Sequence, residues 1–504
     1  MLPWCGVKIQ GDSENPGGAI GDSANRSKEL STAKVLEGFR VAGRVHPALL
    51  VGFFLINAIV LINALLHPPT VGYDARAHLG YAEALSAGHL VTPRESREFF
   101  CPPVPYLFPA VLMKFLSLST TQAGKGAQLL NVLLSLGTTL FLLRTCELIS
   151  PGELPLKLGA LAFLGSLPVY YKSFAFVRGE PFVAFFGSAA AYYALVLFGR
   201  RSTSVWHAIL LGSTLGLAGL SRQWGLLLTP GLAIAAGVSV LKARQGRRML
   251  LTLAMGSLAI SLLLNSWFYL ILRSRYGSIT AFNQAPQERF AFTNQPMSFY
   301  CGIGASHLFK DPIRNAFPNQ LLPIFYSETW GDYWGYFVVY GKDARAGQWL
   351  NGLAWSRALG LGQPPAWLVT NRDSIAPFLG RVNLVSLFPS VLALAGWLTG
   401  VRDIGRWMRR RESAFEWSAT SLLTLLIVIS YLGYFWFLIM YPSPATGNTI
   451  KATYMLHTFP FGAVLVGVLL RRLYQKWLVL YQGVMLCLAI VFAHNFPVLF
   501  TRFT

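Results

Sequence analysis

Apolar segments long enough to cross a lipid bilayer recur along this chain, and they constrain its fold more than any other feature. A membrane-spanning helix needs about 20 predominantly apolar residues. Eleven segments fit, at residues 47–67, 123–143, 156–172, 181–199, 205–221, 224–241, 249–272, 383–401, 417–441, 453–470 and 477–498. The sequence therefore predicts an all-α polytopic membrane protein with about 11 transmembrane helices.

The composition supports this class of protein. Of the 504 residues, 54% are hydrophobic and only 12% are charged, which is too few charges to cover a soluble globule of this size. The 42 Lys and Arg residues outnumber the 21 Asp and Glu residues. Because they cluster in short runs between apolar segments, as cytoplasmic loops do, we expect membrane lipids and no nucleic acid as partners.

A twelfth apolar segment, at residues 104–119, decides the topology. It contains Pro105, Pro109 and Lys114 and is short for a span. If it lies in the membrane interface, four basic clusters share one side with the N-terminal tail; these are Arg200 with Arg201, and residues 242–248, 402–411 and 471–476. We therefore expect those clusters in the cytoplasm.

This topology divides the chain into four parts. Residues 1–46 are polar and rich in Gly and Ser, which predicts a disordered cytoplasmic tail. Residues 47–272 form a transmembrane module whose first external loop, 68–122, carries interfacial helices. Residues 273–382 form an external subdomain, and residues 383–504 contain the C-terminal transmembrane helices.

Polar residues follow the first span immediately, in the stretch "VGYDARAHLGYAEALSAGHL". Helical spacing places Asp74, His78 and Tyr81 on one face. Asp74 fits the N-cap of this helix, and His78 fits an interfacial hydrogen-bonded residue. A functional role for either side chain is the alternative.

Three further external turns each carry a cation, namely Arg178, Arg222 and Lys451. Glu180 lies beside the first of them, where an acid at a helix N-terminus and a snorkelling Arg are a structural alternative. Cations on the external side run against the positive-inside trend. Together they suit a lipid phosphate, because Arg and Lys donate charge-assisted hydrogen bonds to phosphate oxygens.

The external segment "PIFYSETWGDYWGYFVVYGKD" combines carboxylates with aromatic rings. Such residues can form an aromatic belt at the membrane surface. They can equally hold a sugar, with ring faces stacking and acids binding hydroxyls, and on this interpretation Trp330, Asp332 and Tyr333 line a sugar or acceptor site.

The five cysteines have no metal-type spacing. Cys101 and Cys301 both fall in external segments, where a disulfide and two free thiols are equally compatible with the sequence. No phosphate-binding or dinucleotide-binding glycine motif occurs. We therefore expect no soluble nucleotide donor and no resident cofactor or metal, although a divalent cation is compatible with the sequence.

The ordered set of these features resembles the GT-C fold glycosyltransferases, which take sugars from polyprenyl-phosphate carriers and include protein mannosyltransferases and aminoarabinose transferases. "GYDARAHLGYAEALSAGHLVTP" resembles the first-loop motif of that family, and "PPVPYLFPAVLMKFL" is similar to its Pro-Pro juxtamembrane helix. "RGEPFVAFFGSAAAYY", "GLSRQWGLLL" and "IKATYMLHTFPFGAVLVG" are similar to later motifs. The match runs from about residue 47 to 240, with a further match at 450–470.

The resemblance implies roles for individual residues. Asp74 is the catalytic base for an acceptor hydroxyl, and Glu180 is the second acidic residue. The donor phosphate contacts Arg222, Lys451, Arg178 and His78. Tyr454 joins the sugar and acceptor residues named above.

The function implied is an inverting transfer of a hexose or pentose to a lipid, glycan or protein acceptor on the external face of a membrane, with a bacterial inner membrane expected. A polytopic transporter or flippase of a lipid-linked or small polar substrate is the alternative. It predicts carboxylates or broken helices at the membrane midplane and repeat symmetry. Almost no acidic residue lies inside the predicted spans, which favours the transferase.

Overall fold

In the part of the chain that the structure describes, the protein is an array of helices with one hairpin of two short strands. The computed structural model describes residues 37–41, 44–243, 245–314, 316–339, 366–410 and 414–501. The predicted tail, residues 1–46, lies largely outside the described residues. Strands β1 (Arg40–Val41) and β2 (Arg44–Val45) pair antiparallel, with Arg40 opposite Val45.

Eighteen α-helices occur in the described part of the chain. The first nine are α1 (Pro47–Leu66), α2 (Ala75–Ser86), α3 (Val104–Leu116), α4 (Thr120–Ile149), α5 (Leu154–Gly165), α6 (Pro168–Ala175), α7 (Glu180–Ala194), α8 (Val205–Gly219) and α9 (Leu228–Lys242). The others are α10 (Arg247–Tyr276), α11 (Met297–Cys301), α12 (Ala305–Leu308), α13 (Leu321–Trp330), α14 (Ala366–Val385), α15 (Leu387–Arg409), α16 (Phe415–Met440), α17 (Thr458–Lys476) and α18 (Leu478–Asn495).

Short turns of other helix types extend this array. A π-helical turn, Leu195–Gly199, continues α7, and a 3₁₀ turn, Gln223–Leu227, leads into α9. Further 3₁₀ turns lie at Glu37–Phe39, Phe292–Asn294, Ala452–Met455 and Phe496–Leu499.

Each of the eleven predicted spans coincides with a helix or a broken helix. Within the described ranges, eight helices or helix combinations are long and apolar enough to cross a membrane, and nine are if the bent pair α5–α6 counts as one span. Helix α8, with 15 residues, is shorter, and α17 ends in the polar sequence "RRLYQK". The predicted all-α polytopic class is confirmed.

The twelfth segment forms the short helix α3. Its 13 residues extend about 20 Å, which is less than the roughly 30 Å hydrocarbon core. This length agrees with the predicted interfacial position. Helix α3 packs on α2, so the first external loop is built as a helical pair.

Buried side chains hold the long helices together. Asn57 on α1 donates to Thr139 Oγ1 on α4 at 3.0 Å and accepts from Ser135 Oγ at 2.7 Å. Gly467 on α17 allows a close backbone approach, because a Cβ there would lie 2.4 Å from the carbonyl oxygen of Leu156 on α5. Polar contacts and small residues are the usual means of packing helices within membranes.

Basic clusters from distant parts of the chain meet at one end of the array. Lys242 donates to the carbonyl oxygen of Arg410 at 2.7 Å, and Arg200 lies 4.0 Å from the ring centre of Phe415. Arg472 forms ion pairs with Asp403 and Glu416 at 2.6 and 2.8 Å. These contacts agree with the prediction that the basic clusters share one side. Asp74 lies beyond the other end of α1.

Candidate active site

Asp74 occupies the N-cap position of α2 but does not cap it. Its backbone is left-handed, with φ of 51°, and its carboxylate makes no capping hydrogen bond. The conformation is uncommon for a residue other than glycine, although Asp adopts it more readily than most residues. The predicted cap is therefore wrong as a side-chain interaction, and the carboxylate is left for another partner.

That partner is Lys451, which approaches from the other end of the chain. Its Nζ lies 3.4 Å from Asp74 Oδ2, with the carboxylate 31% exposed. The ammonium lies over two rings, 4.9 Å from the centre of Tyr73 and 5.5 Å from that of Tyr454. Its backbone N–H donates to the hydroxyl of Tyr434 at 2.8 Å. The lysine is thus held in place on three sides.

Behind these rings lies a buried ion-pair network. Arg178 donates to both Glu180 oxygens, at 2.6 and 2.7 Å. Arg222 bridges the two acids of the network, lying 3.2 Å from Glu180 and 3.0 Å from Glu98. All four side chains are almost fully buried, so each charge is compensated by protein instead of water.

The thiol of Cys101 is part of the same network. Its Sγ lies 2.8 Å from Glu98 Oε2 and also contacts Arg222. Burial raises the pKa of this thiol well above its usual value. Cys101 is buried, Cys301 is exposed, and both are free, so the structure contains the free-thiol alternative and not the disulfide.

His78 is buried beside the network instead of facing the open site. Its Nδ1 and the Tyr106 hydroxyl share a hydrogen bond of 2.7 Å. Burial, and then the positive charges of Arg222 and Arg178, lower its pKa well below the usual value. At neutral pH the imidazole is therefore uncharged, which makes it a weak partner for a phosphate.

Two open cavities meet at Asp74. The first, about 410 Å³ and called the inner cavity here, is lined by Tyr73, Asp74, Arg97, Glu98, Phe282, Asn283, Gln284, Arg314, Trp334, Tyr336, Ser443, Asn448, Thr449, Lys451 and Tyr454. The second, about 330 Å³ and called the outer cavity, is lined by Thr70, Val71, Gly72, Asp74, Ala75, Arg76, Ala77, Arg97 and Tyr336. Asp74, Arg97 and Tyr336 belong to both.

The predicted site residues divide between these surfaces and the interior. Asp74, Lys451 and Tyr454 line the inner cavity. Arg178, Arg222, Glu180 and His78 line neither cavity. Both arginines contact the cavity lining from behind. Arg178 and Arg222 lie 5.7 and 5.9 Å from the centre of the Tyr454 ring, Arg178 also lies over Tyr73, and Arg222 pairs with Glu98.

The three residues predicted from the aromatic segment lie apart from Asp74. Asp332 is buried and accepts backbone N–H groups from Phe337 and Val338 at 2.8 and 2.7 Å, which shapes the local turn. Tyr333 is buried and stacks on Phe317. Trp330 lines a different, apolar cavity. The structure brings none of the three to the inner or outer cavity.

The apolar cavity, about 820 Å³, lies among α5, α13, α15, α16 and α17. Its lining is dominated by Leu, Phe and Tyr side chains. Tyr434 belongs to this lining, and its hydroxyl accepts the N–H of Lys451. One lining residue of the apolar cavity thus contacts the backbone of the lysine that faces Asp74.

Several residues of the site have no motif in the sequence. Arg97, Arg314 and Asn448 line the inner cavity. Tyr73 donates a hydrogen bond to Glu328. Glu328 in turn pairs with Lys172 at 2.6 Å. Arg97 and Glu98 stand in the predicted external loop, and this location was the only sign in the sequence that they belong to the site.

In the described ranges no three His, Cys, Asp or Glu residues form a group that could hold a metal ion.

Among solved structures, the chain is similar to an archaeal oligosaccharyltransferase and to ArnT. The Archaeoglobus fulgidus oligosaccharyltransferase in complex with zinc and sulfate is 12% identical, with a TM-score of 0.48, and the similarity covers 90% of this chain and 53% of that one. ArnT from Cupriavidus metallidurans bound to undecaprenyl phosphate is 15% identical, with a TM-score of 0.36, covering 85% and 80%. Both are GT-C fold glycosyltransferases, the family that the sequence resembles.

The chain spans about half the length of the oligosaccharyltransferase structures that it matches. No protein-family model matches the sequence. No curated protein matches it either.

Proposed function

We propose that this protein is an inverting glycosyltransferase that moves a sugar from a polyprenyl-phosphate carrier to an acceptor hydroxyl. One observation carries the proposal: the Asp74 carboxylate lies where two cavities meet, 3.4 Å from Lys451 Nζ. A transfer of this kind needs a base for the incoming hydroxyl and a cation for the departing phosphate. Asp74 and Lys451 supply both at one point.

Asp74 is suited to act as the base because, among the described residues, Lys451 is the one side chain paired with its carboxylate. The left-handed backbone at the start of α2 aims the side chain away from the helix N–H groups. In the reaction the acceptor hydroxyl loses its proton to Asp74 and attacks the anomeric carbon. Holding the two groups in contact supplies much of the rate.

Lys451 is the contact for the leaving phosphate, together with Arg97 on the same cavity wall. The bond between the anomeric carbon and the phosphate oxygen breaks, and the phosphate leaves without needing a proton. Arg178 and Arg222 are already neutralised by Glu180 and Glu98. Their contribution to the phosphate is to fix the position of Tyr454.

The apolar cavity suits the polyprenyl chain of the donor. It is large, lined mostly by hydrocarbon and aromatic groups, and one of its lining residues, Tyr434, contacts the backbone of Lys451. A chain lying there places its phosphate at the Lys451 end of the inner cavity. The outer cavity, on the other side of Asp74, then admits the acceptor.

The site lies at the end of the helix array opposite the basic clusters. Because basic clusters mark the cytoplasmic side, we place the reaction on the external face of a cell membrane, with a bacterial inner membrane as the setting. The acceptor is a lipid, glycan or protein hydroxyl. In the described residues the bent pair α5–α6 is the one broken span, and none of the residues lining the inner or outer cavity lies on it, so the transporter or flippase alternative is not favoured.

The experiment replaces Asp74 by Asn in the purified, detergent-solubilised protein and measures release of polyprenyl phosphate from polyprenyl-phosphate hexoses and pentoses. We expect a loss of about 10²- to 10⁴-fold with unchanged expression. Glu83→Gln is the matched control, because Glu83 lies on the exposed side of the same helix and lines neither cavity. Unchanged turnover in the Asp74 variant would overturn the assignment of the base.

A further inference from the structure

Arg314 differs from every other buried Lys or Arg side chain in the described ranges, because it has no carboxylate partner. The others each form an ion pair: Lys157 with Glu147, Lys172 with Glu328, Arg178 with Glu180, Arg222 with Glu98 and Glu180, and Arg471 with Glu416. An unpaired buried charge is strongly unfavourable. The position of Arg314 therefore calls for an anion that the described residues do not supply.

The surroundings of Arg314 hold the guanidinium in one orientation. It is only 8% exposed and stacks 4.9 Å from the ring centre of Trp334. One terminal nitrogen donates to Asn448 Oδ1 at 2.9 Å, while Nε has no hydrogen-bond partner. Burial lowers the pKa of this arginine, as expected for a cation without a counter-charge.

Arg314 lines the inner cavity together with Asp74 and Lys451. The wall that it shares includes uncharged hydrogen-bonding side chains, namely Asn283, Gln284, Ser443, Asn448 and Thr449. Amides and hydroxyls of this kind match the hydroxyls of a sugar. Arg314 therefore shares its wall with groups that suit the sugar part of a donor.

We propose that Arg314 binds the carboxylate of an acidic sugar, so that the donor is a uronic acid on its polyprenyl-phosphate carrier. This inference rests on the proposed glycosyltransferase function and names its substrate class. A guanidinium matches a carboxylate with two parallel hydrogen bonds. In a uronic acid the carboxylate is attached to C5, across the ring oxygen from the anomeric carbon, which separates it from the reacting centre.

The test uses pairs of polyprenyl-phosphate donors whose sugars differ only at C6. One pair carries glucuronic acid and glucose, and the other carries galacturonic acid and galactose. For each pair the ratio of kcat/KM for the acid to that for the neutral sugar is measured. We expect the wild-type protein to favour an acid, and Arg314→Gln to lower that ratio by about 10- to 100-fold, as loss of a charged hydrogen bond would. Arg94→Gln, an exposed arginine of the first loop that lines neither cavity, leaves the ratio unchanged.

Three outcomes would overturn the inference. The first is a wild-type preference for neutral sugars, and the second is an Arg314→Gln variant that keeps the wild-type ratio. The third is an equal loss of kcat/KM with both members of a donor pair in Arg314→Gln, which would make Arg314 a phosphate contact. Failure of the proposed function looks different, because no donor then releases polyprenyl phosphate.

A binding measurement without turnover is the second readout. Sodium glucuronate and sodium galacturonate are added to the solubilised protein, with glucose and galactose as neutral controls. We expect at least one acid to raise the Tm of the wild-type protein and of the Asp74→Asn variant, but not of Arg314→Gln. Equal shifts with acidic and neutral sugars, or no shift with either acid, would contradict the proposal even if no donor is turned over.

Discussion

At the scale of single residues, the charged side chains of the site form two groups. Arg178, Glu180, Arg222 and Glu98 neutralise one another in the interior, where an unpaired charge is costly. Asp74 and Lys451 remain partly exposed at the cavity. The first group fixes geometry, and the second is free to meet a substrate.

The buried imidazole of His78 makes stability depend on pH. Its pKa in the folded protein lies below the unfolded value of 6.5, so the unfolded state binds the extra proton first as pH falls. Stability is therefore complete above about pH 6.5 and decreases below it, with a slope approaching about 1.4 kcal/mol per pH unit. Thermal unfolding between pH 7.5 and 5 measures this effect.

The matched variant is His78→Gln, which has no titrating group and can still hydrogen-bond the Tyr106 hydroxyl. We expect a shallower decline in Tm with falling pH than in the wild-type protein, whatever its Tm at pH 7.5. His89→Gln, which alters an exposed histidine, keeps the wild-type slope. Equal slopes for the wild-type protein and the His78 variant would exclude this origin.

At the scale of elements, the site depends on where helices begin and break. The predicted span at 156–172 is two helices, α5 and α6, bent by 62°. The break lies just before Pro168, which lacks an N–H donor and disfavours helical geometry at Leu167. This bend brings Lys172 to Glu328 in the external subdomain.

A close crossing beside the ion-pair network sets the position of α7. A Cβ on Gly179 would lie 2.2 Å from the carbonyl oxygen of Ser221, and these residues adjoin Arg178 and Arg222. We expect Gly179→Ala to separate the two turns, lower the Tm by several degrees and reduce transfer. The loss follows because overpacking costs about 1–3 kcal/mol.

Gly256→Ala on α10 is the control for this prediction. A Cβ there meets nothing within 4 Å, and alanine favours a helix by about 0.5–1 kcal/mol over glycine. Its Tm should stay the same or rise. Wild-type stability in Gly179→Ala would show that the crossing tolerates a methyl group.

At the scale of the whole molecule, charge separates the two ends of the helix array. One end gathers basic clusters with Asp403 and Glu416, and the other gathers Asp74 and the cavities. The 20–30-residue helices between them are largely apolar. Catalysis is therefore confined to one face of the membrane under the proposed function.

No disulfide links the external segments in the described part of the chain. Cys101 is buried against Glu98 and Arg222, and Cys301 is exposed. We expect the thermal unfolding midpoint to be unchanged by dithiothreitol, and Cys301 to react with a maleimide in the folded protein while Cys101 reacts only after unfolding. A lower midpoint under reduction would indicate a bond between thiols that the structure keeps apart.

The sequence by itself determined the membrane-spanning class, the positions of the apolar segments that form helices, and the short length of α3, whereas eight or nine of the eleven predicted spans are long and apolar enough to cross a membrane in the described residues. These follow from local composition, since a span is recognised by a continuous run of residues. The same reading selected Asp74, Lys451 and Tyr454, which the folded chain brings to one cavity.

Only the tertiary structure decided which charges are neutralised inside and which face the cavities. Asp74 and Lys451 are 377 positions apart, and Arg178 and Arg222 proved to be paired with acids instead of exposed. Arg314 stands out only in the folded chain, where it is buried, lacks a carboxylate partner among the described residues and lines the inner cavity. Ion pairing and burial depend on contacts between distant segments, and these are properties that no local pattern of residues specifies.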